Sequence, residues 1–205
     1  MNVLVACEFS GAVRDAFRRK GHEAWSCDLP GMEPEGEWPN YHLEGDVRLF
    51  LDGSAGPVRQ WDLMIAHPPC THLAVSGARH FAAKQASGVQ QEALDFVQLL
   101  MDAPIERIAI ENPVCIMSSV WREPDQVIQP WQFGHGEVKA TCLWLKGLPP
   151  LVPTKIVSGR HPRIHLMPPS PDRWKERSRT YEGIAQAMAS QWSEYTDLVT
   201  QMEAA

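Results

Sequence analysis

Cys70 follows two prolines in the run Leu63-Met-Ile-Ala-His-Pro-Pro-Cys70-Thr71. A thiol presented by a rigid turn is placed to act as a nucleophile. Glu111 is the second candidate, at the end of the apolar run Arg107-Ile-Ala-Ile-Glu111-Asn-Pro113. Together the two residue types suit one chemistry. A thiolate that adds to carbon 6 of a pyrimidine makes carbon 5 nucleophilic toward a methyl donor, and a partly buried carboxylic acid of raised pKa can supply the proton or hydrogen bond needed at ring nitrogen 3. A buried cysteine at a strand end is also commonly inert packing, the reading that suits Cys7, Cys27, Cys115 and Cys142.

Both residues need a sheet edge to meet. Trp61 to Ala66 reads as a buried strand, and Pro68 and Pro69 lack the donors to continue it, so Cys70 is expected at the carboxyl edge, where α/β proteins bind ligands. Residues 2–7 predict another strand, followed by a turn at Glu8-Phe-Ser-Gly11 and a short helix with Val13 and Phe17 inward and Gly21 as its stop. His22 to Cys27 then reads as a second strand with Asp28 at its end, completing a βαβ unit. Residues 30–45 read as a loop before Asp46-Val47. Helical spacing from Gln90 to Asp102 stops before Pro104, a strand follows at 107–110, and another is expected from Ala140 to Leu145. Ile184, Met188, Trp192, Tyr195 and Val199 mark a closing amphipathic helix. Strands alternating with helices predict an α/β fold with a mostly parallel, doubly wound sheet. The expected division is a catalytic and cofactor-binding unit over 1–147, a short Pro/Arg-rich appendage over 148–180, and a helix over 181–205 packing back on the first unit.

The bulk composition fits that picture. With 205 residues, 44% of them hydrophobic and 21% charged, the chain can bury a substantial core. The amino-terminal apolar stretch is too short for a signal peptide, and no run approaches a membrane span, so a cytoplasmic location is expected. Five widely spaced cysteines without a Cys-x-x-Cys pair argue against a disulfide framework and against a bound metal. The net charge of −6 is unevenly spread. Lys155, Arg160, Arg163, Arg173, Lys175, Arg177 and Arg179 stand against only Asp172 and Glu176 in that stretch. This basic segment on an acidic body suits a surface facing phosphates, or an excursion whose arginines pair with the body's own acids.

The Gly11 turn and Asp28 form a second constellation. Backbone amides at a helix start, with an acid after the next strand to accept hydrogen bonds from ribose hydroxyls, suit a nucleoside cofactor. In this motif order the chain resembles the DNA cytosine-5 methyltransferases that use S-adenosylmethionine, and most closely their small phage and prophage members. Val5-Ala-Cys-Glu-Phe-Ser-Gly11 is similar to the family's Phe-x-Gly-x-Gly motif with one glycine, Asp28 matches the acid after the second strand, and Asp46-Val47 resembles the motif that touches adenine. His67-Pro-Pro-Cys70 resembles the catalytic Pro-Cys motif, with His67 in place of a small residue. Glu111-Asn112-Pro113 resembles the Glu-Asn-Val motif, and Lys139-Ala-Thr141 falls where the family has an Arg-x-Arg pair.

The resemblance implies a Rossmann-like methyltransferase fold, with Cys70, Glu111, Lys139 and Thr141 as catalytic residues. It places S-adenosylmethionine against Glu8, Phe9, Ser10, Gly11, Asp28, Asp46, Val47 and Pro68. The partner it implies is duplex DNA with a flipped cytosine, contacted by Arg79, Arg160, Arg163, Arg173, Arg177 and Arg179. Residues 148–180 leave room for little sequence reading. Free cytidine nucleotides, single-stranded nucleic acid, or a catalytically silent binding protein are the alternatives. Exocyclic amino methylation fits less well, because His67 and Cys70 replace both informative ends of the Asp/Asn-Pro-Pro-aromatic motif. Ser76-Gly-Ala-Arg-His-Phe81 has the small and basic residues of a loop that closes over a base, or of a simple connector.

Overall fold

The computed structural model describes residues 1–33 and 37–203. Among these, β1 (Asn2–Ala6) and β4 (Leu63–Ala66) lie at the centre of the sheet, and their near-continuous apolar sequences reflect burial on both faces. Around them lie β2 (Glu23–Asp28), β3 (His42–Glu44), β5 (Arg107–Pro113), β6 (Gln126–Ile128) and β7 (Thr141–Lys146), in the order β3-β2-β1-β4-β5-β7-β6. The first five are parallel; β7 runs antiparallel to both β5 and β6. The parallel register aligns Ala6 with Ala66 and Ala66 with Ile110, so these strands end at one level.

Alternate residues feed two cores. Leu4, Met64, Ile108 and Trp144 face a layer that includes α3 (Val89–Met101), through Val97 and Leu100. Val3, Val5, Leu63, Ile65 and Leu143 face α1 (Ala12–Arg19) and α7 (Glu182–Glu203), which contribute Val13, Phe17, Ile184, Met188 and Trp192. Among the described residues, shorter α-helices are α2 (Phe81–Ala86), α4 (Met117–Val120), α5 (Arg163–Leu166) and α6 (Arg173–Ser178). No helix among the described residues is long and apolar enough to cross a membrane.

Two strands lie where the sequence predicts none. Residues 42–44, expected in a loop, form edge strand β3 beside β2, where His42 Nδ1 lies 2.9 Å from Ser26 Oγ. Residues 126–128 pair with β7. Both are only three residues long, too short to show periodicity. The expected helix over 181–205 is α7, and its last two residues lie outside the described ones. The appendage over 148–180 is tied back to the body by β-bridges from Lys155 to Phe133 and from His161 to Glu137.

The chain leaves β1 toward β2 on one side and meets β4 on the other. A crevice opens at such a reversal of strand order, outside the carboxyl ends. The opposite direction of β7 brings its first residues, rather than its last, to that rim.

Candidate active site

A cleft of about 910 Å³ opens at the crevice. Four strand ends supply its floor: Cys7 to Ser10 after β1, Asp28 from β2, His67 to Thr71 after β4, and Glu111 to Pro113 from β5. Lys139 and Ala140 reach it from the start of β7. Helix α6 crosses above with Arg173, Trp174 and Arg177.

The β1–α1 turn is built tightly. Cys7 adopts a left-handed backbone (φ 58°), rare for a residue with a side chain, and Gly11 repeats that hand at φ 72°. Glu8, buried, turns inward, where its carboxylate accepts the Val13 N–H at 2.7 Å and the Arg14 N–H at 3.3 Å. It caps α1 and lines the cleft at once. A Cβ on Gly11 would meet the buried Arg14 guanidinium. Gly11→Ala is therefore expected to lower stability by at least about 1–2 kcal/mol from backbone strain alone, read as a fall in the urea midpoint.

At the next strand end, Asp28 Oδ1 accepts the Leu29 N–H at 2.8 Å, and Oδ2 has no hydrogen bond among the described residues. Burial raises the Asp28 pKa, against the opposing pull of that N–H and of His67. Phe9 and Ser10 also line the cleft. Asp46 and Val47 are outside the lining. Asp46 caps a single helical turn and pairs with Arg48 at 2.5 Å, and Val47 is core.

Asn112 fixes the loop that presents the thiol, its Nδ2 donating to the Pro68 carbonyl at 3.0 Å. The Cys70 carbonyl accepts the N–H groups of Leu73 (3.0 Å) and Ala74 (2.9 Å), closing a turn with the half-buried thiol on the cleft side. Burial first, and the Glu111 charge second, raise the Cys70 pKa; Arg177 and Lys139 pull it down.

Glu111 departs from expectation. Its Oε2 lies 2.8 Å from His67 Nδ1, with side chains only 11% and 10% exposed. Burial works to raise its pKa, but the hydrogen bond and charge of His67, with Lys139, bring it below the ordinary value. The raised carboxyl pKa expected from burial alone is thus reversed by a neighbour 44 positions away in sequence. On His67 burial acts against the proton, while Glu111 and then Glu8 raise the pKa above its ordinary value. Both shifts favour the ion pair over the neutral one.

Lys139 donates through Nζ to the Arg179 carbonyl at 3.3 Å and stands 5.8 Å from the Tyr181 ring. Thr141 is buried in β7, donates to the Lys139 carbonyl at 3.1 Å and does not line the cleft. It supports Lys139 rather than facing a ligand.

The cleft takes only two of the six arginines expected at a nucleic-acid surface. Arg173 and Arg177 line it, and Arg173 Nε is buried without a hydrogen-bond partner among the described residues. Arg163 pairs with Glu137 at 2.9 Å, Arg179 pairs with Glu33 at 2.6 Å, and Arg160 stacks 3.8 Å from the Trp131 ring. Arg79 lies exposed outside the lining, its Nε 2.9 Å from His80 Nε2. Ser76 and Gly77 of the expected closing loop do line the cleft.

Trp174 was not among the expected site residues. Its ring, 49% exposed, lies 5.2 Å from Phe9 at a 50° tilt, and an aromatic flanked by cations in a basic segment was the available signal. Among the described residues no group of three or more His, Cys, Asp or Glu is arranged to hold a metal ion. No protein-family model matches this chain, and no curated protein matches it either.

Proposed function

We propose that the protein transfers a methyl group from S-adenosylmethionine to carbon 5 of cytosine in DNA, through a covalent Cys70 adduct. The observation that carries the reading is the meeting of Cys70, Glu111 and the Asp28 nucleoside cradle in one cleft. The parallel strands in the order 3-2-1-4-5, with the cleft at the β1/β4 reversal, support a Rossmann-like methyltransferase fold. Asp28, Phe9 and Ser10 fit a nucleoside: a carboxylate oxygen without a hydrogen bond among the described residues for ribose hydroxyls, in a cleft that Phe9 and Ser10 also line. When bound, S-adenosylmethionine supplies an electrophilic methyl group on a sulfonium.

The chain's own residues do the rest. The Pro68-Pro69 turn holds the thiol, and the cations Arg177 and Lys139 favour its ionised form. The thiolate adds to carbon 6, and Glu111 holds ring nitrogen 3. A base in a duplex must leave the stack to reach Cys70, at a cost of a few kcal/mol. Arg173 and Arg177 offset this by contacting the flanking phosphates, and Trp174 offers a face for stacking.

A free cytidine nucleotide is the second reading. It is favoured by Arg160, Arg163 and Arg179 being engaged within the chain, while Arg173 and Arg177 face the cleft. Incubation with labelled S-adenosylmethionine and cytosine-containing duplex, single-stranded DNA or deoxycytidine nucleotides tests the function. Cys70-dependent label at carbon 5 supports it and identifies the substrate; cofactor binding without label in any substrate leaves a silent binding protein. Arg177→Ala is expected to weaken substrate binding about tenfold and, on DNA, to reduce the salt slope by about one. It also removes a cation beside the thiol, so adduct formation should shift to higher pH, measurable as a pH–rate profile.

A further inference from the structure

The pairing of His67 with Glu111 leaves a chemical question, because a carboxylate held ionised has no proton to give to ring nitrogen 3. We propose that His67 is the proton reservoir of the site, holding on Nδ1 the proton that Glu111 passes to nitrogen 3 as the bond from Cys70 Sγ to carbon 6 forms. This rests on the cytosine methylation reading. Three features of the geometry support it. The contact is short, at 2.8 Å, and both side chains are nearly closed off from solvent. The two groups stand at the ends of adjacent parallel strands, β4 and β5, and both line the cleft that holds Cys70. His67 Nε2 is buried with no hydrogen-bond partner among the described residues, so Nδ1 carries the imidazole's polar contact to Glu111.

The step balances. The thiol proton leaves to water at the cleft mouth, and the thiolate pair forms the Sγ–C6 bond. The C5=C6 π pair becomes C4=C5, and the C4=N3 π pair takes the one proton that His67 Nδ1 hands over through Glu111, leaving a neutral imidazole beside the carboxylate. After methyl transfer, loss of the carbon-5 proton to water drives out the thiolate, and the nitrogen-3 proton returns through Glu111 to His67. The charged groups around His67 are Glu8 from the β1–α1 turn, Asp28 from β2, Glu111 from β5 and Lys139 before β7, with Cys70 three residues along its own loop. The carboxylates favour the imidazolium and Lys139 opposes it.

The test is a pH profile of adduct formation on the cytosine substrate carrying fluorine at carbon 5, where no proton is available for elimination. Cys70 must lose a proton while His67 keeps one. The wild-type rate should therefore level off above the His67 pKa, since each gain in thiolate is matched by a loss of imidazolium. His67→Asn keeps a hydrogen-bonding side chain beside Glu111 but no reservoir. Its rate should be about 100-fold lower at neutral pH and should climb without a plateau until Cys70 ionises. Added imidazole should partly restore His67→Ala. Independently of activity, the His67 NMR titration should lie above the ordinary 6.5 and fall in Glu111→Gln. A plateau retained in His67→Asn, or a titration unmoved in Glu111→Gln, overturns the reservoir. A wild-type chain that forms no Cys70 adduct with any cytosine substrate overturns the methylation reading, and the relay with it.

Discussion

Cys70→Ser is expected to bind S-adenosylmethionine like the parent chain and to lose methyl transfer by at least about 10⁴-fold. The substitution changes little but the nucleophile. The residue is half-buried, so one smaller chalcogen costs little packing, and its carbonyl still closes the turn with Leu73 and Ala74. A serine hydroxyl ionises far less readily than a thiol, and at Cys70 the Arg177 and Lys139 charges work against the upward pull of burial and Glu111 without cancelling it. Label transferred per hour, with an unchanged melting temperature as the check on folding, decides the matter. Activity within tenfold of the parent would remove the thiol from the mechanism.

The second large effect is structural. Trp192 is fully buried on α7 and fills the layer between that helix, α1 and the sheet, while its Nε1 donates to the Pro149 carbonyl at 3.0 Å. Trp192→Ala should cost about 3–5 kcal/mol, a large share of the total expected for a domain of this size. The urea midpoint should fall with an unchanged slope. Because Trp192 does not line the cleft, cofactor affinity of the folded fraction at low temperature should be preserved. A stability within about 1 kcal/mol of the parent, from midpoint and slope together, would mean that the α7 contact is dispensable.

Strand ends were the most legible part of this chain. Prolines after β4, the glycine at the start of α1, and apolar runs flanking them are local signals, and the residues they punctuate, from Glu8 to Glu111, do reach one rim. Partnerships between strands were not legible. His67 and Glu111 meet only because β4 and β5 are neighbours, a fact of sheet order rather than of spacing. Glu8 both caps α1 and lines the cleft, while Thr141 lies buried inside β7. Charge counting likewise found the basic segment, but the acids that occupy Arg163 and Arg179 come from residues 137 and 33, far along the chain.

The packing of α1 against α7 has a consequence during synthesis. Val13 and Phe17 are covered by Ile184, Met188 and Trp192, and the seam is closed by Arg19 with Glu182 at 2.8 Å and His22 with Ser193 at 2.7 Å. Between the two helices the ribosome must add about 160 residues, which takes roughly 10–30 s. For that interval the first helix has only the sheet strands to cover its apolar stripe, and a nascent chain that already holds Cys70 and Glu111 cannot yet be closed by α7.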